Sequence, residues 1–458
     1  MHHYKKAPFK IKKLPETLIE IANTLKKNKH QCYIVGGAVR DIAMGKEPDD
    51  YDLASSATPE EIKKIFKKVI PTGIQHGTVT ILIKRDKYEI TTFREEEGYT
   101  DLRHPDKIRY TRSLETDLSR RDFTINALAL DPITEEIYDL YQGYADIKKK
   151  IIKTVGQPDK RFEEDALRIL RAIRFAAQLG FTIEKETYKA IKRHSKNIQQ
   201  ISWERIREEF TKVLLSPSPS LGIKLMEETE ILQYIIPELL TCKNISQGKA
   251  HRFDVYHHLL ASCDLVEKKD IIIKLAALFH DIGKPITKIE IPGKGLAFYD
   301  HDKESAKIAK KILKRLKYPN STIEKVTHLI QNHMIKYTED WTDAAIRRHI
   351  TRIGKDNLDQ LLELLKADRW GITGTKTKVT DIEALRYRIN TELNKSNALT
   401  IKDLKINGNT LQETLEIPAG PWIGKILKYL MEAVLDDPKL NTKEKLIEIA
   451  KKYYKKYN

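Results

Sequence analysis

The chain has 458 residues, 40 % of them hydrophobic, which is length and apolar content for about three domains with ordinary cores. Its 82 Lys and Arg against 65 Asp and Glu leave a net charge of +17, which fits a polyanionic partner such as nucleic acid or simply lysine-rich solvated helix faces. No apolar run reaches the roughly 18 residues of a membrane span, the N-terminal MHHYKKAPFKIKK lacks a signal-peptide core, and Cys32, Cys242 and Cys263 show no CxxC spacing, so the expectation is a cytoplasmic protein with no membrane segment, disulfide framework or cysteine zinc site.

Residues 16–29 have helical spacing, and a short apolar strand, Cys32–Val35, runs into Gly36-Gly37 and a further helix. Asp50–Leu53 is a second strand candidate. Thr78–Lys84 and Tyr88–Arg94, rich in Val, Ile and Thr and split by a charged turn, read as a hairpin. Residues 95–119 are polar and irregular and read as a mobile loop, after which strands nearly stop. From about Asp159 the apolar period is helical, broken at SPSPS (Ser216–Ser220), at IPGKG (Ile291–Gly295) and near Pro418–Pro421. The expected fold is α+β: an α/β head at 15–150, a helical neck at 151–215, a helical body at 216–375 and a helical tail at 376–458.

The head carries residues suited to phosphoryl transfer. In GGAVRD, two glycines let the backbone approach a phosphate, the next helix offers N–H donors, and Arg40 adds a fork of donors. By itself such a turn is more often only a turn. Asp50 and Asp52 flank Tyr51, and in a strand i and i+2 share a face, so the two carboxylates repel unless a cation lies between them. Mg²⁺ suits such a pair together with substrate phosphates, whereas a solvated acidic turn is the plain alternative. Glu89 is a candidate third carboxylate. Arg120, Arg121 and Asp122 precede FTIN, so the arginines can neutralise a triphosphate, Asp122 can orient one of them, and Asn126 can reach a sugar or phosphate.

GGAVRD, DYD with LASSATPEEI, ITTFR and RRDFTINALALD, in that order over about residues 30–215, resemble the class II tRNA nucleotidyltransferase and bacterial poly(A) polymerase family. The resemblance implies that Asp50 and Asp52 are catalytic and bind Mg²⁺. It implies that Gly36, Gly37 and Arg40 hold the triphosphate, and that Arg121, Asp122 and Asn126 contact sugar and phosphate. It implies tRNA as partner, CTP and ATP as substrates, and CCA addition with release of pyrophosphate. A CC- or A-adding partial enzyme, or a poly(A) polymerase, is the alternative within that chemistry.

RFEEDALRILRAIRF (Arg161–Phe175) reads as one helix with Asp165 and Arg168 as neighbours three apart. An intrahelical ion pair is the ordinary reading. Chemically, Asp165 only accepts and Arg168 only donates, matching the amino donor and ring-nitrogen acceptor shared by cytosine and adenine. The segment resembles the family's EDxxR motif, with Glu164, Asp165 and Arg168, whose role there is base selection. Arg168, Arg171 and Arg174 recur every three residues, as a basic stripe for nucleotide or RNA or as partnered arginines in a polar seam. WERIREEF, with Glu204, Arg205 and Glu209, resembles the family's bracing helix, and EEEGYTDLRHPDK (Glu95–Lys107) resembles its flexible C-to-A switching loop.

His258, His280, Asp281 and Asp368 lie in amphipathic segments VYHHLL, LAALFHDIGKP and LLKADRWG, and their mixed nitrogen and oxygen donors suit a divalent metal of unassigned identity. They resemble an inserted HD phosphohydrolase-type domain over roughly 250–370, with His251, His301 and His333 as further ligands or phosphate contacts and His257 on the surface. This implies either a phosphoesterase acting on RNA ends or a structural metal. A phosphohydrolase with an RNA-binding head is the reading of a different class. The stretch 400–454 resembles the tRNA-contacting tail of the family.

Overall fold

The computed structural model describes residues 3–4, 6–74, 77–84, 86–98, 107–248, 252–293, 295–395 and 398–457. They form two compact units, Met1–Leu240 and Thr241–Asn458.

The first unit is built on an eight-stranded sheet ordered β1-β10-β9-β2-β3-β6-β5-β4. In chain order its elements are β1 (His3–Tyr4), α1 (Glu16–Lys27), β2 (Cys32–Val35), α2 (Gly37–Ala43), β3 (Leu53–Ser55), α3 (Pro59–Ile65), β4 (Val69–Gly73), β5 (Thr78–Ile83) and β6 (Asp86–Thr92). β7 (Arg94–Glu97), β8 (Lys107–Tyr110), α4 (Leu114–Ser119), β9 (Leu128–Leu130), β10 (Ile137–Asp139) and α5 (Gly143–Lys149) follow. The expected hairpin is β5–β6, paired from Thr78↔Thr91 to Ile83↔Asp86. β3 and β6 run parallel, while β2 pairs antiparallel with β3 and β9. α3 begins at a capping box in which Thr58 and Glu61 satisfy each other's backbone N–H groups.

Two expectations are corrected here, and a third falls outside the described residues. Strands do not stop after residue 119: β9 and β10 lie inside the sheet, as runs of only three residues bounded by turns, too short for a period to register. The segment 95–119 is not one loop, because β7 pairs with β8 and α4 packs its apolar side onto a core of Tyr33, Val35, Ala54 and Phe93. Residues 99–106 of the loop expected to switch the site lie outside the described residues.

The unit continues through β11 (Ile151–Ile152), α6 (Pro158–Glu164), α7 (Leu167–Leu179), β12 (Thr182–Ile183), α8 (Lys185–Arg193), α9 (Trp203–Leu214) and α10 (Pro219–Glu228), and closes with short α11 (Leu232–Ile235) and α12 (Pro237–Leu240). The SPSPS breaker ends α9 and starts α10, which turns back into the same unit. There a Cβ on Gly222 would stand 2.4 Å from Val213 and 3.3 Å from Ala177, so only glycine permits that approach.

Among its described residues the second unit is helical apart from one hairpin. It comprises α13 (Val255–Leu265), α14 (Ile271–Phe279), α15 (Lys284–Thr287), β13 (Lys288–Ile291), β14 (Gly295–Phe298), α16 (His301–Arg315), α17 (Asn320–Gln331) and α18 (Asp343–Ile353). α19 (Leu358–Thr373), α20 (Thr380–Asn394), α21 (Gly408–Leu415), α22 (Pro421–Asp436) and α23 (Lys443–Tyr457) complete it. The IPGKG break falls at the end of the β13–β14 pair, where Ile291 faces Gly295. Among the described residues no helix is long and apolar enough to cross a membrane.

Candidate functional site

The first unit holds a cleft of about 970 Å³ lined by Gly36, Gly37, Arg40, Asp50, Asp52, Arg121, Asp122, Asn126, Asp165, Arg168, Arg171 and Arg174. The expected head residues therefore converge, apart from Glu164, which reaches the cleft only through its partner Arg168.

Gly36 has φ +70°, and a Cβ there would stand 3.3 Å from the Arg121 guanidinium, so backbone and space both require glycine. Arg40, one turn into α2, donates to Asn126 Oδ1 at 2.9 Å and to Asp41 Oδ1 at 3.0 Å, and its guanidinium lies 5.4 Å from the Phe175 ring centroid. Arg171 and Arg174 lie 5.6 and 4.2 Å from the same ring, so three cations gather around one aromatic ring.

Asp50 and Asp52 stand just before β3 rather than in it. The Asp52 carbonyl accepts the Val35 N–H at 3.0 Å, which fixes this lead-in beside β2. Both residues are open to the cleft. Even so, enclosure by the cleft walls raises the Asp52 carboxyl, with Asp50 adding to the rise and Arg121 opposing it. Such a pair is short of positive charge, which is the condition a divalent cation relieves. Glu89 shares a second cavity, of about 450 Å³, with Asp50, Tyr51 and Asp52.

The Arg-Arg-Asp cluster is wired differently from its sequence reading. Asp122 does not orient Arg120 or Arg121. Its Oδ2 accepts from Arg171 Nε at 2.8 Å and from a terminal Arg171 nitrogen at 2.6 Å, while Oδ1 accepts the Phe123 N–H and Asn126 Nδ2. Burial alone would raise this carboxyl, but Arg171 and the Phe123 N–H pull it down to about 2. Asp117 holds both neighbouring arginines instead, Arg120 at 2.7 Å and Arg121 at 3.0 Å, because they follow it at i+3 and i+4 on the turn of α4. That spacing was visible in ETDLSRR and passed unread. Glu96 pairs with Arg94 at 2.6 Å and Arg120 at 3.1 Å, tying the base of the partly described loop to the cleft wall.

The segment 161–175 is not one helix. α6 ends at Glu164, Asp165 is extended with φ −144° and ψ 104°, and α7 starts at Leu167. Asp165 and Arg168 are thus not helical neighbours, because the Asp165 carboxylate caps the Leu167 N–H at 3.0 Å and restarts the helix. Arg205 on α9 holds Asp165 at 3.0 Å, and Arg168 pairs with Glu164 and donates to the Arg120 carbonyl at 3.2 Å. Arg171 pairs with Asp122, and Arg174 with Glu209 at 3.0 Å, with burial pushing the Arg174 guanidinium down to about 10. The basic stripe is therefore a partnered seam that also lines the cleft. α9 braces it through Arg205 and Glu209.

The second unit brings together every histidine and aspartate expected there, save His251, which lies outside the described residues. His258, His280, Asp281 and Asp368 place ligand atoms within 4.8 Å of one another, and Asp281, His301 and His333 form a second such group. The Nε2 atoms of His258 and His280 are 3.1 Å apart, and Asp368 Oδ1 stands 3.1 and 3.3 Å from them. Nδ1 of His280, His301 and His333 each meets the carbonyl three residues earlier, at 2.9, 2.6 and 2.7 Å. In that contact Nδ1 keeps its proton and donates it to the carbonyl, which leaves the Nε2 lone pair turned toward the cluster, the arrangement of a metal-bound histidine. Asp281 Oδ1 and His301 Nε2 are buried without a hydrogen-bond partner, so the donor set fits a divalent ion. His257 is half-exposed on the Asp254 cap.

Three supporting residues were missed. Lys284 Nζ holds Asp281 at 2.6 Å and donates to Gln247 at 2.7 Å. A Cβ on Gly371 would stand 2.0 Å from Ser262 and 3.1 Å from the His258 ring, and one on Gly283 would stand 2.6 Å from the Ser305 nitrogen. These two glycines let α19 and α16 close on the cluster, and only the packing shows it.

Comparison with known proteins gives the following. A Poly A polymerase head domain matches residues 32–153, an RNA and SrmB-binding site of polymerase A matches 180–242, and a tRNA nucleotidyltransferase domain 2 matches 296–450. The CCA-adding enzyme of Anoxybacillus flavithermus is 35 % identical over 94 % of this chain and 96 % of its own length. That of Enterococcus faecalis is 34 % identical over 97 % and 98 %. The crystal structure of the Bacillus stearothermophilus CCA-adding enzyme in complex with CTP is 28 % identical, covers 96 % of this chain and 97 % of that one, and superposes with a TM-score of 0.74.

Proposed function

The chain belongs to the CCA-adding enzyme family, and from that premise we propose that it adds CCA to the 3′ end of tRNA in the cytoplasm, from CTP and ATP, releasing pyrophosphate. The observation that carries this reading is the single cleft holding an exposed carboxylate pair, a set of arginines and the Asp165–Arg168 pair.

Asp50 and Asp52 would hold Mg²⁺, which when bound activates a 3′-hydroxyl and neutralises phosphate charge. Gly36, Gly37 and Arg40 cradle the triphosphate at the start of α2. Arg121 adds charge beside Gly36, held in place by Asp117. Asp122 acts through its partners, presenting Arg171 and Asn126 to sugar and phosphate.

Asp165 keeps acceptor capacity after its contacts with Leu167 and Arg205, since a carboxylate has about four lone-pair sites. It takes the exocyclic amino group of C or A, and Arg168 donates to the ring nitrogen. Guanine and uracil reverse both matches and leave these groups unpaired, at about 1–3 kcal/mol each.

For the second unit, His258, His280, Asp281 and Asp368 would hold one divalent metal, and Asp281 with His301 and His333 would offer a second position. The metal polarises a phosphoryl oxygen and activates water when bound. Asp368 and His333 open onto a recess of about 230 Å³ that also presents Lys336 and Arg369. Arg369 is paired with Asp381 in the same recess at 3.0 Å, so Lys336 is the cation it offers a phosphate, and that supports phosphoesterase action on RNA ends over a purely structural ion.

The test is incubation with tRNA lacking CCA, Mg²⁺, and CTP and ATP separately and together. Growth by three nucleotides only with both supports the proposal. Stopping after two, adding A only to a CC end, or making long A tails would assign one of the related activities. No extension would overturn it.

A further inference from the structure

We propose that a recess between α18 and α22 in the second unit, with Trp341 at its lip, binds one unstacked nucleotide of an RNA chain. The recess has a volume of about 500 Å³ and is lined by Trp341, Ala345, Arg348, His349, Arg352 and Glu432 among others. Ala345, Arg348, His349 and Arg352 follow one another at i, i+3, i+4 and i+7, so one face of α18 forms its floor.

The recess is fixed before any ligand arrives. Buried Arg347 donates to the Leu435 carbonyl at 2.8 Å, the Asp436 carbonyl at 3.0 Å and Glu392 at 2.9 Å, locking α18 to α20 and α22. Arg348 pairs with Glu432 at 2.9 Å and Asp436 at 2.7 Å across the same seam.

His349 is 4 % exposed. Its Nδ1 lies 3.4 Å from an Arg352 nitrogen. A guanidinium can only donate, so Nδ1 accepts and the ring proton sits on Nε2. That Nε2–H is buried and meets no acceptor among the described residues. Burial and the neighbouring Arg352 push the ring down to about 4, so near neutrality the orphan is an uncharged donor rather than a charge seeking a carboxylate. A carbonyl or ring nitrogen of a nucleobase supplies what it lacks.

Trp341 supplies the flat face. Its ring stands edge-on to Tyr337 at 5.6 Å and to His349 at 5.8 Å, and its carbonyl accepts from Arg388. An aromatic beside an unpaired donor is how unstacked bases are held.

The charge count selects an RNA nucleotide over a free one. Arg348 is already neutralised by two carboxylates, whereas exposed Arg352 has no carboxylate partner among the described residues. Arg348 and Arg352 against Glu432 and Asp436 leave the recess without net charge, so Arg352 can meet the single phosphodiester of an RNA chain while nothing there offsets a triphosphate. The identity of the RNA as tRNA rests on the function proposed above.

The experiment uses the full chain and tRNA lacking CCA. Ultraviolet crosslinking followed by peptide mapping should place a nucleotide within residues 341–352. Trp341→Ala should weaken tRNA binding about tenfold, read in Kd and in KM for tRNA rather than in kcat. Trp341→Phe should stay within about twofold of wild type. Arg352→Gln, on an exposed side chain, covers the case in which Trp341→Ala misfolds, and should weaken binding several-fold. Wild-type tRNA affinity in both Trp341→Ala and Arg352→Gln would overturn the inference. So would loss of free ATP or CTP binding with tRNA binding intact. If wild-type protein binds tRNA but does not extend it, the proposed function fails while the binding comparison still decides the recess.

Discussion

The carboxylates of the head cleft and the His-Asp cluster of the second unit are both arranged for cations, and they are built in opposite ways. In the head, Asp50 and Asp52 stand open to a wide cleft, with arginines pinned around them by Asp117, Asp122 and Glu209. In the second unit the ligand atoms are mostly buried and converge on one another, with the rings of His280, His301 and His333 each oriented by a carbonyl three residues back. With Mg²⁺ held as proposed, the head would leave most of the coordination to a polyanionic substrate that arrives with its own oxygens. The cluster would nearly complete a coordination shell from the chain alone. An open site is specified by what surrounds the substrate, a closed one by what the chain itself folds together.

The largest effect expected from this contrast is in the head. Asp52→Ala should lower nucleotide incorporation by about 1000-fold or more, with tRNA affinity within a few-fold and the metal content of the purified protein unchanged. Retained incorporation would break the assignment.

His280→Ala should do the reverse. Metal retained through dialysis, measured by elemental analysis, should fall to near zero while CCA addition stays within about twofold. Loss of both would mean that the two sites are not independent.

Asp165→Ala should reduce discrimination of CTP and ATP over UTP and GTP by about 10- to 100-fold, the price of one or two unpaired groups. Arg205→Gln should move fidelity the same way and less, because it frees Asp165 without removing it. Unchanged fidelity in both would remove Asp165 from base reading.

The smallest effect concerns the head's internal wiring. The Asp122 carboxyl is held at about 2, below its usual 3.8, by Arg171 and backbone against the opposing pull of burial. A carboxyl more acidic in the folded chain than in the unfolded one stabilises the fold above its unfolded pKa, and that gain disappears as pH falls from about 4 through about 2. Denaturant titrations from pH 6 to 2 should show this loss, about 2 kcal/mol, and Asp122→Asn should flatten it.

The head was the more legible of the two regions, since GGAVRD, DYD and RRDFTIN each carry their chemistry in adjacent residues. The cluster's ligands were also legible as residue types. What held them was not. Gly371 and Gly283 are ordinary glycines in sequence, and only helix packing reveals that a Cβ at either would collide with the cluster's neighbours.

The sequence by itself determined the α+β division, the β5–β6 hairpin, the helical remainder and the identities of the charged residues, because local period and adjacent chemistry are properties of short segments. Only the tertiary structure decided which charges pair. It gave Asp122 to Arg171, and broke the helix at Asp165 so that its carboxylate could cap α7 and meet Arg205. The reason is physical: an ion pair depends on a few ångströms of separation between groups that the chain brings together from 40 to 50 positions apart. No spacing rule encodes that distance.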